Sequence, residues 1–377
     1  MKRRSVGTPK LMKALNRESI LYFVQEHEPI SQADISRELE MSRATVSTIV
    51  RELVDEGMLT EAGKADAVIG RRPTLLELNA AACTAVVADL SQSQPAVAVV
   101  DLRGRIVHRA VGRDLRRLYG EAALREFLRF VERVAREAES RTRRVCGIGI
   151  AVPGITATTS GVVRSSAGLG WHNVELAQLV SERTNLPTRI DNDVNLAAQG
   201  EMWKGAAKGV RNLVMIQVGD GIGAAIVIDG HVYRGANDAA GEIGHMILDD
   251  SRLGEDFTEW GWLEVQASER FADKQVAEKQ ATGNLAETEH DDRTMTVTAM
   301  KWVLMAICNI IACLNPDLCL VGGTLIKDGT FDTERAARLV KRTIPVACRV
   351  EYGALGSDAA LIGAAADIFQ SQRLVKI

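Results

Sequence analysis

The sequence lacks three features: a membrane-spanning helix, a secretory signal, and a cysteine pattern for disulfides or a structural metal. No apolar run reaches the roughly 18 residues that a membrane-spanning helix needs. The basic start MKRRSVGTPK is not followed by the apolar core of a secretory signal. The six cysteines are scattered and form no Cys-x-x-Cys pair, so neither a disulfide framework nor a zinc site is indicated. We therefore expect a cytoplasmic protein with buried thiols and no membrane partner.

Length and charge bound the organisation of the chain. Its 377 residues suffice for two or three domains, and 46% apolar against 25% charged residues is the balance of a globular protein. The net charge of −3 is unevenly spread, because the first 17 residues contain cations and no acid. Those cations are Lys2, Arg3, Arg4, Lys10, Lys13 and Arg17. A basic tip on an acidic body suits contact with phosphates at one end, and a solubilising tail is the alternative.

Three short helical patterns follow one another near the N-terminus. The first covers Leu11–Gln25, and the second begins at Ser31 with Asp34 three residues later, as in a capping box. The third follows Ser42, a good N-cap, and runs to about Asp55 with an apolar stripe along one side. This arrangement predicts a helix-turn-helix, whose second helix enters the major groove of DNA.

The third helix carries hydroxyl and arginine side chains away from its apolar stripe, and such side chains reach base edges and phosphates. The following segment Leu59–Leu78 alternates and turns at residues 70–73, which predicts a β-hairpin wing with two arginines at its turn. The predicted DNA-contacting residues are Ser42, Arg43, Thr45, Ser47, Thr48, Arg51, Arg71 and Arg72. A small helical bundle used only for protein contacts is the alternative.

From Cys83 the pattern changes to short apolar strands separated by turns. The first half has strands at Val86–Leu90, Ala96–Asp101, Arg105–Val111 and Cys146–Val152, with a charged helix at Leu115–Arg141. The second half has strands at Leu213–Val218, Ala224–Ile228, His231–Tyr233 and Leu318–Val321, with an apolar helix at Met300–Leu314. Two similar halves with a cleft between them predict an internally duplicated α/β architecture.

Five short motifs then occur in an order that resembles one family. They are Ile190–Asn195 with Gly200-Glu201, Gly219–Ala224, Gly241–His245, Leu320–Gly323 and Gly356–Ala360. In this order they resemble the ROK family (repressors, open reading frames and kinases) over about residues 83–370, and the helices before them resemble those of its regulators, of the xylose and N-acetylglucosamine repressor type.

The resemblance implies an α/β fold, with a winged helix-turn-helix at 1–80 and an actin-like domain of the hexokinase type at 81–377. Lobe one would cover about 83–190 plus the C-terminal helix, and lobe two about 191–355, with a central cleft.

The resemblance also implies the residues that would hold a sugar. The matching positions are Asn192, Asp193, Glu242, His245 and Glu264. Carboxylates suit this task because one carboxylate accepts charge-assisted hydrogen bonds from two hydroxyls. In kinase relatives the residue matching Asp193 takes the proton from the attacking hydroxyl, whereas here we expect a vestigial base that serves only as a ligand.

Four departures from the family pattern bear on the function, and the first two argue against phosphoryl transfer from ATP. Residues 89–95 lack the glycines that let a backbone approach phosphate, and Asp220 stands where the second phosphate hairpin has a hydroxyl. The cysteines of the family's zinc motif are absent from residues 255–262, where we expect Trp260 and Trp262 to pack the loop instead. Gly168 replaces a sugar-binding asparagine, which is expected to change the choice of sugar.

These observations predict a non-enzymatic repressor of carbohydrate uptake or catabolism genes, with operator affinity set by a sugar. The expected partners are double-stranded, palindromic operator DNA, a sugar effector and a second copy, as a homodimer or a dimer of dimers. No cofactor and no metal are expected. An ATP-dependent sugar kinase with an accessory DNA arm, and a ligand-independent DNA binder whose large domain only dimerises, are the alternatives.

Overall fold

The chain folds in two parts that follow the two patterns of its sequence. The computed structural model describes residues 8–64, 73–92, 94–250, 253–257, 260–268, 288–324, 331–345 and 347–375. Within these ranges, no helix combines the length and the apolar character needed to cross a bilayer.

Residues 8–78 contain the helix-turn-helix and the strands of its wing. The elements are α1 (Pro9–His27), β1 (Ile30–Ser31), α2 (Gln32–Glu38), α3 (Arg43–Asp55), β2 (Leu59–Lys64) and β3 (Thr74–Leu78). The strands form an antiparallel sheet in the order β1-β3-β2. The helices begin at the predicted caps, because Ser31 Oγ accepts from Asp34 N and Ser42 Oγ from Thr45 N.

Ion pairs between α1 and α3 use two cations of the basic N-terminal segment. Lys13 Nζ lies 2.6 Å from Glu52 Oε1, and Arg17 Nη1 donates to Glu56 Oε1 at 3.0 Å. These two cations are therefore paired within the protein. The sequence did not reveal this because the opposing acids lie 39 residues further along the chain. Outside the described residues lie Lys2, Arg3 and Arg4.

The first half of the large part is built on a five-stranded sheet. Its elements are β4 (Thr84–Asp89), β5 (Ala96–Asp101), β6 (Ile106–Val111), α4 (Gly120–Arg141), β7 (Val145–Val152), β8 (Ile155–Ala157), β9 (Val162–Ser166), β10 (Trp171–Val174), α5 (Leu176–Thr184), β11 (Thr188–Asn192) and α6 (Asp193–Lys204). The order is β11-β7-β4-β5-β6, with β4 to β6 antiparallel and β7 and β11 parallel to β4. Strands β8 to β10 form a separate small sheet.

The second half repeats this design. Its elements are β12 (Leu213–Val218), β13 (Ile222–Ile228), β14 (His231–Tyr233), α7 (Trp262–Ala267), α8 (Thr288–Leu314), β15 (Leu318–Gly322), α9 (Thr333–Thr343), β16 (Arg349–Tyr352) and α10 (Ala359–Ser371). The order β14-β13-β12-β15-β16 matches β6-β5-β4-β7-β11 strand for strand. The predicted duplication is thus present in the fold.

The two halves meet where α6 crosses α10. Both helices are almost entirely buried, and the crossing is made by glycines. A Cβ atom at Gly200 would overlap the carbonyl oxygen of Ala359, and one at Gly363 would overlap that of Leu196. Only glycine permits this backbone-to-backbone approach, so the crossing point is fixed by sequence.

Two local features differ from the sequence-based expectation. Helix α4 begins at Gly120 rather than Leu115, because Tyr119 (φ 46°) and Gly120 (φ 60°) adopt left-handed backbone angles that a helix cannot continue through. The small sheet β8–β10 was missed, since its strands are only three to five residues long. This sheet matters because residues at the end of β9 reach the cleft.

Candidate functional site: the cleft between the lobes and the third helix

A cavity of about 500 Å³ lies between the two lobes. It opens at the carboxyl ends of strands from both sheets, since β4 ends at Asp89, β11 at Asn192, and β12 leads into Gly219. Ligands of open α/β sheets typically bind at such ends. The structure brings all five predicted sugar residues to this one cavity, namely Asn192, Asp193, Glu242, His245 and Glu264. Gly168, at the position of the missing asparagine, lines it as well.

Asn192 has a fixed place in the cavity wall because it caps α6. Its Oδ1 accepts from the backbone N–H groups of Val194 and Asn195 at 2.9 and 3.1 Å. Its Nδ2 donates to the carbonyl oxygen of Gly154 at 3.1 Å. These three bonds hold the side chain before any ligand arrives, which lowers the entropy cost of using it as a ligand.

An ion pair of Asp191, which lies beside Asn192 in β11 of the first sheet, joins the two lobes. Asp191 is 2% exposed, and its Oδ2 lies 2.5 Å from Nη2 of Arg234, which follows β14 in the second lobe. Its Oδ1 accepts from Asn192 N at 2.7 Å and from Asn195 Nδ2 at 3.2 Å. Asp191 is therefore a positioning residue for the site. The sequence motif contained Asp191, but nothing in the sequence indicated Arg234 as its partner.

Asp193 is the first residue of α6 and is almost fully buried. Burial is the main cause that raises its pKa to about 8, and the negative charges of Asp89 and Glu242 raise the pKa further, against an opposing hydrogen bond from Val194 N. Asp193 is therefore largely protonated at neutral pH in the ligand-free cleft. In this form the carboxyl can donate a hydrogen bond to a sugar hydroxyl as well as accept one.

The remaining acidic residues belong to the second lobe. Glu264 accepts from the N–H of Ile222 at 3.1 Å and from that of Gly261 at 3.2 Å, so it ties α7 to the hairpin between β12 and β13. Burial and then the charge of Glu264 raise the pKa of Glu242, while His245 lowers it. His245 itself is exposed at the cavity edge.

The hairpin between β4 and β5 uses its backbone donors inside the protein. The N–H of Leu90 donates to the carbonyl oxygen of Ala151 at 3.0 Å, and that of Ser91 donates to Asp89 Oδ1 at 2.8 Å. The side chain of Leu90 is 2% exposed. Phosphate-binding loops depend on backbone N–H groups that point at the ligand, and these two have partners already.

An ion pair bridges the two lobes at the same end of the cleft. Arg116 comes from the segment between β6 and α4, and it pairs with Asp220 in the hairpin between β12 and β13. Both residues line the cavity. The sequence singled out Asp220 but gave no signal for Arg116, because the pair joins residues about a hundred positions apart.

The loop that replaces the family's zinc motif is only partly described, with 258–259 outside the described ranges. As expected, Trp262 packs: it is 1% exposed and meets Trp302 edge-on, with ring centroids 5.0 Å apart. Trp260 lines the cavity. In the described part of the chain, no group of three or more His, Cys, Asp or Glu side chains is arranged to hold a metal ion.

Helix α3 presents part of its predicted DNA-contacting set to solvent. Arg43, Thr48 and Arg51 are exposed, and neither arginine has an ion pair among the described residues. Ser42 and Thr45 bond to each other at 2.9 Å as part of the helix cap, and Thr48 Oγ1 donates to its own helix. Ser47 is half-buried. The wing arginines Arg71 and Arg72 lie outside the described residues.

The helix-turn-helix is fastened to the large domain by charged contacts. Arg103, in the turn between β5 and β6, lies 2.9 Å from Glu28 Oε1 and donates to the carbonyl oxygen of Leu78 at 3.1 Å. Arg373, just after α10, lies 2.7 Å from Glu18 Oε1 in α1. Buried apolar side chains continue from the helix-turn-helix into the large domain as one cluster. The two parts therefore share both a core and salt bridges.

Fold and site together define a protein with a winged helix-turn-helix joined to a two-lobed, sugar-kinase-like domain. The ROK family model matches residues 88–371, and a MarR family model, of helix-turn-helix type, matches residues 19–67. The chain belongs to the ROK family.

Related proteins include both regulators and kinases. The chain is 34% identical to the xylose repressor of Caldicellulosiruptor bescii, over 64% of this chain and 61% of that protein. It is 27% identical to the xylose repressor of Bacillus subtilis strain 168, over 85% of each. It is also 32% identical to a glucokinase of Halalkalibacterium halodurans, over 58% of this chain and 74% of that protein.

Solved structures give the same fold. A ROK family transcriptional regulator described as a homologue of the E. coli MLC protein matches with a TM-score of 0.77 and 23% identity, over 96% of this chain and 97% of that one. A ROK family glucokinase from Streptomyces griseus matches with a TM-score of 0.62 and 23% identity, over 76% of this chain and 99% of that one. The kinase match leaves out about the length of the helix-turn-helix.

Proposed function

We propose that this protein is a transcriptional repressor of carbohydrate uptake or catabolism genes, and that a sugar in the cleft controls its affinity for operator DNA. The helix-turn-helix, the membership of the ROK family and the xylose repressors among its relatives support this function. It would act in the cytoplasm, where operator DNA is accessible. The observation that carries the proposal is that two helices, α6 and α10, begin at the cleft and end next to contacts with the helix-turn-helix.

Helix α6 makes the first of these connections. It begins at Asp193 in the cavity wall and ends at Trp203 and Lys204, which pack against Gly104 in the turn that also contains Arg103. That turn holds the helix-turn-helix through Glu28 and through the end of β3. A displacement of Asp193 by a ligand is thereby passed along a rigid helix to the base of the wing.

Helix α10 makes the second connection. Ala360 in its first turn lines the cavity, and Phe369 near its end meets Trp203 of α6 with ring centroids 6.2 Å apart. Arg373 then pairs with Glu18 of α1. Closing the lobes around a sugar would rotate α6 against α10 at their glycine crossing, and their far ends would shift the helix-turn-helix.

Such a shift matters if two copies bind one operator. In a two-fold dimer the distance between recognition helices must match the spacing of the half-sites of a palindrome. A coupling free energy of about 1–3 kcal/mol changes affinity 5- to 150-fold, so a modest displacement is sufficient. We propose a homodimer or dimer of dimers on palindromic DNA, with the sugar weakening the complex.

Two observations support a site that binds sugar without phosphorylating it. The N–H groups of Leu90 and Ser91 are bonded within the protein. The carboxylate of Asp220 lines the cleft where phosphates would sit, and its ion pair with Arg116 keeps that arginine from a phosphate.

The glucokinase among the relatives favours a second candidate, an ATP-dependent sugar kinase. A coupled assay for ADP over a panel of sugars separates the two. Turnover that disappears in Asp193→Ala would establish the kinase, whereas the repressor proposal expects no ADP above the background of that variant.

The repressor proposal is tested by selecting a duplex from a random library with the full chain and titrating it by fluorescence anisotropy. The expected result is nanomolar binding to the selected duplex that one sugar of a panel weakens about 5- to 150-fold. If no sugar alters the affinity for the duplex, the alternative of a ligand-independent DNA binder would stand. Absence of any preferred duplex would refute the function.

A further inference from the structure

The cleft extends well beyond the predicted sugar residues. One cavity of about 500 Å³ is lined by Glu242 and His245 and also by Ser91, Gln92 and Ser357. Ser91 and Gln92 lie in the hairpin that matches the family's first phosphate loop, and we call this part of the cavity the far end. Cavities of roughly 300–1,000 Å³ typically hold drug-sized ligands, so a single sugar ring fills only part of this one. The space that phosphates would occupy is therefore available to some other part of a ligand.

The charges around the cavity restrict what that part can be. Among the described residues, the acidic side chains on its wall outnumber the basic ones, and they are Asp89, Asp220, Glu242 and Glu264 beside the protonated Asp193. Arg116 also lines the wall, and it is paired with Asp220. A phosphorylated sugar, a sugar acid or a nucleotide would bring negative charge into this surrounding and be repelled.

The far end offers hydrogen bonds suited to hydroxyl groups. Ser91, Gln92, Gln217 and Ser357 provide hydroxyl and amide groups that both donate and accept. A paired arginine and carboxylate add planar, charged donors and acceptors, which bind neighbouring hydroxyls strongly. This is the chemistry of a second sugar subsite.

We infer that the Arg116–Asp220 end of the cleft binds a second sugar ring, so that the effector is an uncharged disaccharide or longer oligosaccharide. This inference rests on the proposed sugar-sensing function. The ring nearer Asp193 would be held by the family's sugar residues, and the second ring by the groups that stand in place of a phosphate cradle.

The test measures binding of three matched pairs to the full chain by titration calorimetry: xylose and xylobiose, glucose and cellobiose, N-acetylglucosamine and chitobiose. In the pair that binds, the disaccharide should bind about tenfold or more tightly than its monosaccharide, since hydrogen bonds to charged groups are lost with the second ring. Glucose 6-phosphate should bind no more tightly than glucose.

Two variants locate the second ring. Asp220→Asn and Arg116→Gln should each bring the disaccharide close to monosaccharide affinity while leaving the monosaccharide within about twofold, because each removes a charged hydrogen-bond partner of the second ring. Arg125→Gln is the matched control: it breaks an ion pair with Glu121 on the exposed face of α4, and neither residue lines the cavity. Unchanged thermal midpoints show that the variants fold.

Outcomes separate this inference from the function on which it rests. A monosaccharide that binds as tightly as its disaccharide and releases DNA would overturn the second subsite and leave the repressor intact. A disaccharide that binds through Asp220 without changing DNA affinity would support the subsite and overturn sugar sensing. If no sugar of the panel binds, the subsite and the sensing are both overturned, while DNA binding stands on its own measurement.

Discussion

The contact between Arg373 and Glu18 offers a way to separate signalling from folding. Arg373 follows α10, Glu18 lies in α1, and their charged atoms are 2.7 Å apart. The arginine side chain is 60% exposed and that of Glu18 is 20% exposed, so solvent screens the pair. Removing it by Arg373→Ala should therefore cost only about 0–1 kcal/mol of stability.

The same free energy bounds the effect on signalling. If the pair is made in one position of the lobes and broken in the other, its loss removes up to about 1 kcal/mol of coupling, or about fivefold in affinity ratio. We expect the sugar-induced change in operator affinity to shrink by up to about fivefold in Arg373→Ala. The thermal midpoint should fall by no more than a few degrees.

The assay is a set of anisotropy titrations with and without saturating sugar, in parallel with thermal unfolding. Arg349→Ala is the matched control, because its pair with Glu351 at 3.0 Å is also exposed but lies in the second lobe, away from α1. The double reversal Glu18→Arg with Arg373→Glu should restore the response. An undiminished response in Arg373→Ala, or an equal loss in Arg349→Ala, would refute the reasoning.

Three further predictions follow from the site, the helix crossing and the recognition helix. The pKa of Asp193 lies above its ordinary value of 3.8. The stability that its protonated form contributes is therefore fully present below about pH 4 and is lost as the pH rises toward 8. In urea unfolding, the stability of Asp193→Asn relative to the parent should therefore be greater at pH 8 than at pH 5. An equal difference at the two pH values would contradict the assignment. Gly363→Ala should cost at least about 1–3 kcal/mol, since its Cβ overlaps the backbone of Leu196, whereas the same measurement on Gln370→Ala at the exposed end of that helix should show little change. Arg51→Ala should weaken the selected duplex by about 1–3 kcal/mol and relax the preference at one base if Arg51 reads that base; uniform weakening across sequences would assign it to a phosphate.

A prediction for the wing follows from the sequence. Arg71→Ala and Arg72→Ala should each reduce the dependence of DNA affinity on salt, because each phosphate contact releases counterions. Affinity measured across a salt series checks this. Identical slopes for parent and variants would remove the wing from the predicted interface.

Local signals in the sequence were sufficient for the helix-turn-helix and for the duplicated sheets. Caps at Ser31 and Ser42 and an apolar stripe fix helices within a few residues, and alternating apolar runs fix strands. The five sugar-site positions came from motif order, and the structure places them on one cavity. Their role as sugar ligands remains a prediction.

Contacts between distant segments could not be read from the sequence. The partners of Lys13 and Arg17 lie on another helix, and Arg116 and Arg234 meet acids of the opposite lobe. An ion pair depends on tertiary geometry, whereas composition and periodicity report only local environment. The late start of α4 had a local cause, the left-handed residue Tyr119, but a tyrosine carries no sequence signal for that conformation.

The most direct test of the central claim compares sugar binding and DNA release in one cleft variant. Glu242→Gln keeps the size of a residue that lines the cleft and lies outside the helix-turn-helix, and it should weaken sugar binding by calorimetry. Because coupling is reciprocal, the sugar concentration that half-releases DNA should rise by the same factor as the dissociation constant for sugar. A release midpoint that stays at the parent value while sugar affinity falls would show that the cleft does not control the DNA-reading helix.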